Sequence, residues 1–197
     1  MEVQQRAYHK CPSCSLIFVA SNHLPSGAEE IERYLKHRNN SGDSEYRDYL
    51  LRLLQPLLTR ISSHNSGLDF GCGPVKMIEE LLRVERIEVH SYDPFFFDDP
   101  ELLKLQYDFI FCSEAAEHFH RPRLEFGKIN DLLKPAGLLE VVTGIYRDDT
   151  DFNQWWYARD LTHVVFYCEQ TFVWIAEQFG WDIVLRAGDI TLFKKQS

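Results

Sequence analysis

Gly67-Leu68-Asp69-Phe70-Gly71-Cys72-Gly73-Pro74 packs an apolar strand end, an acid and two closely spaced glycines into one short stretch. A hydrophobic strand running into Gly-x-Gly lets the backbone approach a ligand where any Cβ would collide, and the helix that follows aims its unpaired N–H groups at the same place. The stretch therefore predicts a strand, a nucleotide-handling turn and a helix. A dinucleotide turn would carry a third glycine where Lys76 stands, so that fingerprint fails. Asp69 lies on a strand expected to be buried, where a carboxylate needs a cationic or hydrogen-bonding partner.

The residues downstream extend the same pattern. Ile87 to Asp93 alternates apolar and polar residues as a strand does and ends in an acid about 20 residues beyond the glycines, where a doubly wound fold holds ribose hydroxyls. Asp93 is the candidate for that role, although Asp93-Pro94 also reads as a plain turn opener. Tyr107 to Ser113 is an apolar run of strand length that flows into Glu114-Ala115-Ala116-Glu117-His118. Arg121-Pro122 then opens a helix with Leu124, Phe126, Ile129, Leu132 and Leu133 as its inward stripe. Lys134-Pro135-Ala136-Gly137 turns into another strand, from Leu138 to Thr143.

This order of motifs resembles the class I, S-adenosylmethionine-dependent methyltransferases, in particular their small-molecule branch. The resemblance rests on the strand, acid and Gly-x-Gly of 67–73, the acid at Asp93, the Glu-x-x-Glu-His of 114–118 and the Lys-Pro-Ala-Gly of 134–137. It implies S-adenosylmethionine as cofactor, with Asp69, Phe70, Gly71, Cys72, Gly73, Asp93 and Glu114 around it. Val75 stands where the family's third glycine is usual, and Ala136 replaces a glycine. If the backbone at Ala136 must take a positive φ, the missing glycine costs on the order of 1 kcal/mol.

Asp151 to Tyr167 gathers aromatic and polar side chains without periodicity, as specificity loops do. The resemblance makes Tyr157, Arg159 and His163 substrate-binding residues. His163 is also the first candidate for a general base and His118 the second, since imidazole titrates near working pH. Each histidine has a structural alternative, a hydrogen-bonded core residue at 163 and a helix-start pair with Glu117 at 118.

Between the N-terminus and the glycine turn lie two helical patterns. The first, Ala28 to His37, places Ile31, Tyr34 and Leu35 on one face; the second, Ser44 to Ile61, carries a stripe from Tyr46 to Leu58, with Pro56 as a kink or break. Tyr34, His37 and Asn40 are candidate lid contacts, and Asp43 or Ser44 a candidate N-cap. The tail reads as a helix from Glu169 to Phe179 stopped by Gly180, then a hairpin of Trp181–Arg186 and Ile190–Lys194. Only Pro94 to Tyr107 separates the second strand from the fourth-strand motif, so the third strand of a doubly wound sheet is expected to be short or missing.

The expected fold is thus α/β and doubly wound, mostly parallel with a C-terminal antiparallel hairpin, in one domain over 27–197 that includes the leading helices of 28–61. Residues 1–26 form a separate knuckle or hairpin. Its Cys11-Pro12-Ser13-Cys14 resembles half of a zinc ribbon, but a tetrahedral site needs four ligands and no second Cys-x-x-Cys exists. No metal is assigned.

Of the 197 residues, 45% are hydrophobic and 26% charged, enough for one sizeable core. A net charge of −9 without a Lys/Arg cluster excludes a nucleic-acid partner. The first residues are too polar for a signal peptide, no apolar run reaches membrane-span length, and 5 cysteines without scaffold spacing suit a reducing compartment. A cytoplasmic enzyme acting on a small molecule by direct methyl displacement is expected, and nothing in the chain sets an oligomeric state. The departures at Val75, Ala136, the half knuckle and the missing strand also fit a protein of this fold that binds cofactor or a partner without turnover.

Overall fold

A computed structural model describes residues 2–3, 5–36 and 44–197; His37, Asn40 and Asp43 of the expected lid and cap lie outside them. Short strands β1 (Glu2–Val3), β2 (Arg6–Lys10) and β3 (Ile17–Val19) form an antiparallel N-terminal sheet. Helix α1 (Gly27–Tyr34) starts at a capping box, with the Ser26 side chain accepting from the Glu29 N–H while Glu29 accepts from the Ser26 N–H. Helix α2 (Ser44–Leu58) contains Pro56 near its C-terminal end, where the missing N–H costs one helical hydrogen bond and the helix stops two residues later. There follow β4 (Ser66–Phe70), α3 (Met77–Val84), β5 (Glu88–Tyr92), β6 (Tyr107–Ser113), α4 (Pro122–Leu132), β7 (Leu133–Val142), β8 (Val165–Phe166), α5 (Glu169–Phe179), β9 (Trp181–Ala187) and β10 (Ile190–Lys195).

The main sheet has the order β5-β4-β6-β7-β10-β9. Its first four strands are parallel, and the β9–β10 hairpin closes it antiparallel, with β10 inserted beside β7. Residues 94–106 hold only turns, including one 3-10 turn at Leu102–Lys104, so β5 is an edge and the third strand is absent, as expected. Parallel strands buried on both faces alternate their side chains between two cores. Leu68, Ile110, Cys112, Leu139 and Val141 meet α4, α5 and the N-terminal sheet on one face, whereas Phe109, Phe111, Val142 and Leu192 meet α2 and α3 on the other.

The N-terminal hairpin shares the first of these cores through Tyr8, Ile17 and Val19, and β3 pairs with β8. Ala136 has φ 62 in the irregular first part of β7, between the pairings of Leu133 and Leu138, so this position does take the positive φ that a glycine would supply at less cost. Two helical stripes differ from the sequence pattern. Leu124 is exposed because it sits about 200° around the helix from Phe126, off the arc of Phe126, Ile129 and Leu132. In α1 the buried residue is Glu30, and Leu35 is exposed, because the inward face of this helix is polar: Tyr34 Oη donates to Glu30 at 3.2 Å and His120 Nε2 lies 3.3 Å from it. Among the described residues no helix is long and apolar enough to cross a membrane.

Candidate active site

At the carboxyl ends of β4, β5 and β6 a cavity of about 620 Å³ opens, roofed by α1 and α2. Crevices at this end of a parallel sheet are where α/β proteins bind ligands. The glycine turn forms one wall. Gly71 takes φ 84 and Gly73 φ 65, and a Cβ on Gly71 would come within 2.5 Å of the Ala115 Cβ, so the turn after β4 and the loop after β6 touch because residue 71 has no side chain. Where a Gly73 Cβ would stand there is open space within 4 Å. Tyr92 O anchors the turn by accepting from the N–H groups of Gly71 (2.8 Å) and Cys72 (3.1 Å). Phe70 packs edge-on to Phe119, and burial pushes the Cys72 thiol up, so it stays neutral.

The two acids of this wall differ. Asp93 is buried and satisfied: Oδ2 accepts from the Gly73 N–H at 3.0 Å, and Oδ1 accepts from Phe95 at 2.9 Å and Phe96 at 3.2 Å. It ties the end of β5 to the glycine turn while still facing the cavity. Asp69 is equally buried and lines the same cavity, yet among the described residues it has none of the N–H partners that Asp93 has. Desolvation, reinforced by the charges of Asp93 and Glu79, pushes its pKa up to about 8. Desolvation and the nearby Asp69 likewise push Tyr46 of α2 up to about 12.

The opposite wall comes from the loop after β6 and the segment before β8. Glu114 holds φ 48, a left-handed conformation fixed by its N–H donating to Val142 O at 2.8 Å. Its carboxyl opens to the cavity, and desolvation together with the Glu117 charge raises its pKa. Glu117 is fully buried; Oε2 accepts from Thr143 Oγ1 at 2.8 Å. His118 and His163 both border the cavity with ring centroids 4.9 Å apart, and Tyr34 packs edge-on to His118 at 5.0 Å. Burial lowers the His163 pKa, favouring the neutral imidazole.

Of the residues read from sequence, Asp69, Phe70, Gly71, Cys72, Gly73, Asp93, Glu114, His118 and His163 are thus gathered around one cavity, and Tyr34 joins them. Tyr157 stands behind the wall: its ring packs on Gly144, where a Cβ would come within 2.8 Å, and its hydroxyl lies 3.1 Å from Thr143 Oγ1. Arg159 is not brought there. It is exposed, and its guanidinium donates to Gln154 O on the surface. Glu30, Tyr46, Tyr49 and Glu117 line the cavity without having been singled out for it. For Glu30 the available signal was the Glu30/Tyr34 pair at i, i+4 on one helical face.

Residues 35–186 match the methyltransferase domain family, and the chain belongs to that family. No curated protein sequence matches it. Several solved structures share the fold. A 1,6-didemethyltoxoflavin-N1-methyltransferase from Burkholderia thailandensis, with its substrate and S-adenosylhomocysteine bound, superposes with a TM-score of 0.53 at 12% identity, covering 96% of this chain and 99% of that one. A SAM-dependent methyltransferase from Archaeoglobus fulgidus gives 0.54 at 21% identity, over 69% of each chain. An O-methyltransferase family protein from B. thailandensis gives 0.54 at 15% identity; 84% of this chain is matched, but it spans only 62% of that protein's length.

Proposed function

We propose that this protein uses S-adenosylmethionine to methylate a small-molecule acceptor by direct displacement. The observation that carries this reading is the buried Asp69, without a side-chain hydrogen bond among the described residues, beside an open glycine turn in a cavity large enough for a cofactor and a small acceptor. Bound there, S-adenosylmethionine would supply an electrophilic methyl on a cationic sulfonium.

The chain's own residues supply the rest. Asp69 lines the cavity as a desolvated carboxyl whose charged form a cationic ligand would favour, and Asp93, though already accepting three N–H groups, keeps lone pairs for ribose hydroxyls. Val75, in the place of the missing glycine, packs partly against the second core and also lines the cavity, so its side chain borders the space proposed for the cofactor. Tyr34, Tyr46 and Tyr49 restrict water from above and position the reactants, which is where most of the rate in such a displacement arises. Each imidazole of His118 and His163 has its Nδ1 engaged with a backbone carbonyl, so Nε2 is the atom available for proton transfer.

Calorimetric titration tests this reading. Saturable 1:1 binding of S-adenosylmethionine, with no binding of NADH, is expected. A folded protein that takes up no S-adenosylmethionine would contradict it.

A further inference from the structure

Glu117, His118 and His163 converge on one point of the cavity wall in a way that hydrogen bonding within the protein does not explain. Glu117 Oε1 is buried without a hydrogen-bond partner. His118 Nε2 and His163 Nε2 each lie 4.0 Å from it, beyond hydrogen-bond range, and the three atoms fall within 4.8 Å of one another.

The tautomers follow from the other ring nitrogens. His118 Nδ1 lies 2.9 Å from Thr162 O, and His163 Nδ1 lies 2.7 Å from Tyr157 O. A carbonyl oxygen only accepts, so each Nδ1 carries a proton, and a ring with no second proton turns its Nε2 lone pair inward. Three lone-pair donors then face one another, with the fourth polar neighbour, Glu114, adding a second carboxylate. Among the described residues the only ion-pair partners within reach of Glu117 are these two imidazoles. Such a cluster can accept a cation at its centre.

We infer that Glu117 Oε1, His118 Nε2 and His163 Nε2 bind a first-row divalent metal ion at the cavity wall. The donor set, two imidazoles and one carboxylate, is one that such ions favour. Three ligands about 2.1 Å from one ion, at angles of about 90–120°, stand about 3.0–3.6 Å apart, so the three atoms, now within 4.8 Å of one another, share one ion once side-chain rotations draw them in by about 1 Å. The outer shell is already built: both Nδ1–H groups are held by carbonyls, and Thr143 fixes Glu117 Oε2, which orients Oε1. All three residues border the cavity, so an ion has a route in, and its remaining coordination positions face the space proposed for the acceptor.

On the methyltransferase reading, the two histidines are then ligands rather than free bases. The ion would bind and polarise an acceptor through oxygen, which narrows the acceptor to a hydroxyl-bearing molecule. The metal site does not depend on that reading, since it can be measured without cofactor or acceptor.

Co²⁺ titrated into chelator-stripped protein, followed by calorimetry and visible absorption, is the test. One Co²⁺ per chain is expected, with at least tenfold weaker binding in Glu117→Gln and in His163→Gln and unchanged binding in Cys11→Ser. Paramagnetic broadening of the His118 and His163 ring signals in the wild-type protein supplies a readout that needs no variant. Absence of stoichiometric Co²⁺, equal affinity in the Glu117 and His163 variants, loss of binding in Cys11→Ser, or unbroadened histidine signals would each overturn the proposal.

Discussion

The two walls of the cavity solve the problem of buried polar groups in opposite ways. On the glycine-turn side, Asp93 accepts three backbone N–H groups supplied by its own loop and the neighbouring turn, so that acid is satisfied by local structure before any ligand arrives. On the histidine side, Thr143 satisfies one oxygen of Glu117, and the other faces two imidazoles that cannot bond to it. Asp69, on the first wall, shares the second wall's condition: a buried carboxylate awaiting something positive. A wall closed by backbone specifies shape, whereas a wall with unpaired charge specifies the charge of its ligand.

The largest effect that would break this contrast is expected at Gly71. Its φ of 84 and the 2.5 Å approach of a Cβ to Ala115 leave no room for a side chain. Gly71→Val should destabilise the fold by about 2 kcal/mol or more and abolish cofactor binding, measured by denaturant unfolding and calorimetry. Near-wild-type stability would show that the two walls do not meet as described. Asp93→Ala should come next. Losing three charge-assisted acceptor bonds is expected to cost about 1–3 kcal/mol and to weaken S-adenosylmethionine at least tenfold, while Asp93→Asn, which keeps an acceptor, should retain most of the stability.

The unpartnered acid gives a pH signature of definite sign. Because the folded state raises the Asp69 pKa from 3.8 to about 8, the folded protein binds that proton more tightly than the unfolded chain. The stability it contributes is therefore present below about pH 4 and is lost as pH rises towards 8. Asp69→Asn should flatten this slope and raise the melting temperature most above pH 8, yet weaken S-adenosylmethionine at the same pH. A variant as pH-dependent as the wild type would refute the assignment of Asp69 as an unpaired charge. The smallest effect is a control remote from both walls: Ala136→Gly relieves the positive φ in the first part of β7 and should stabilise by about 1 kcal/mol without changing cofactor affinity.

The difference between the walls also explains what the sequence disclosed. The glycine-turn wall is contiguous: strand, acid and glycines follow one another from Gly67 to Gly73, and Asp93 closes the next strand. Local chemistry of that kind is legible, as are β6 over Tyr107–Ser113 and α5 over Glu169–Phe179, where period and stop signals agree. The second wall unites residues 117, 118 and 163 through tertiary structure alone. His163 belongs to a stretch without periodicity, which gives no phase for choosing inward side chains, and this is why Arg159, a neighbour of equal chemical promise, lies on the surface instead. The two-residue strand β8 was hidden for a related reason, since its partner β3 is far away in the chain. In α1 the apolar residues misled, because Glu30 and Tyr34 turn inward as a hydrogen-bonded pair.

Thermal unfolding of the wild-type and Asp93→Ala proteins, each with S-adenosylhomocysteine or with NADH, tests which cofactor the glycine turn and Asp93 hold. A ligand that binds only the folded state raises its melting temperature. The wild type should be stabilised by S-adenosylhomocysteine and not by NADH, and the variant by neither; stabilisation by NADH alone, or an undiminished shift in Asp93→Ala, would contradict the account.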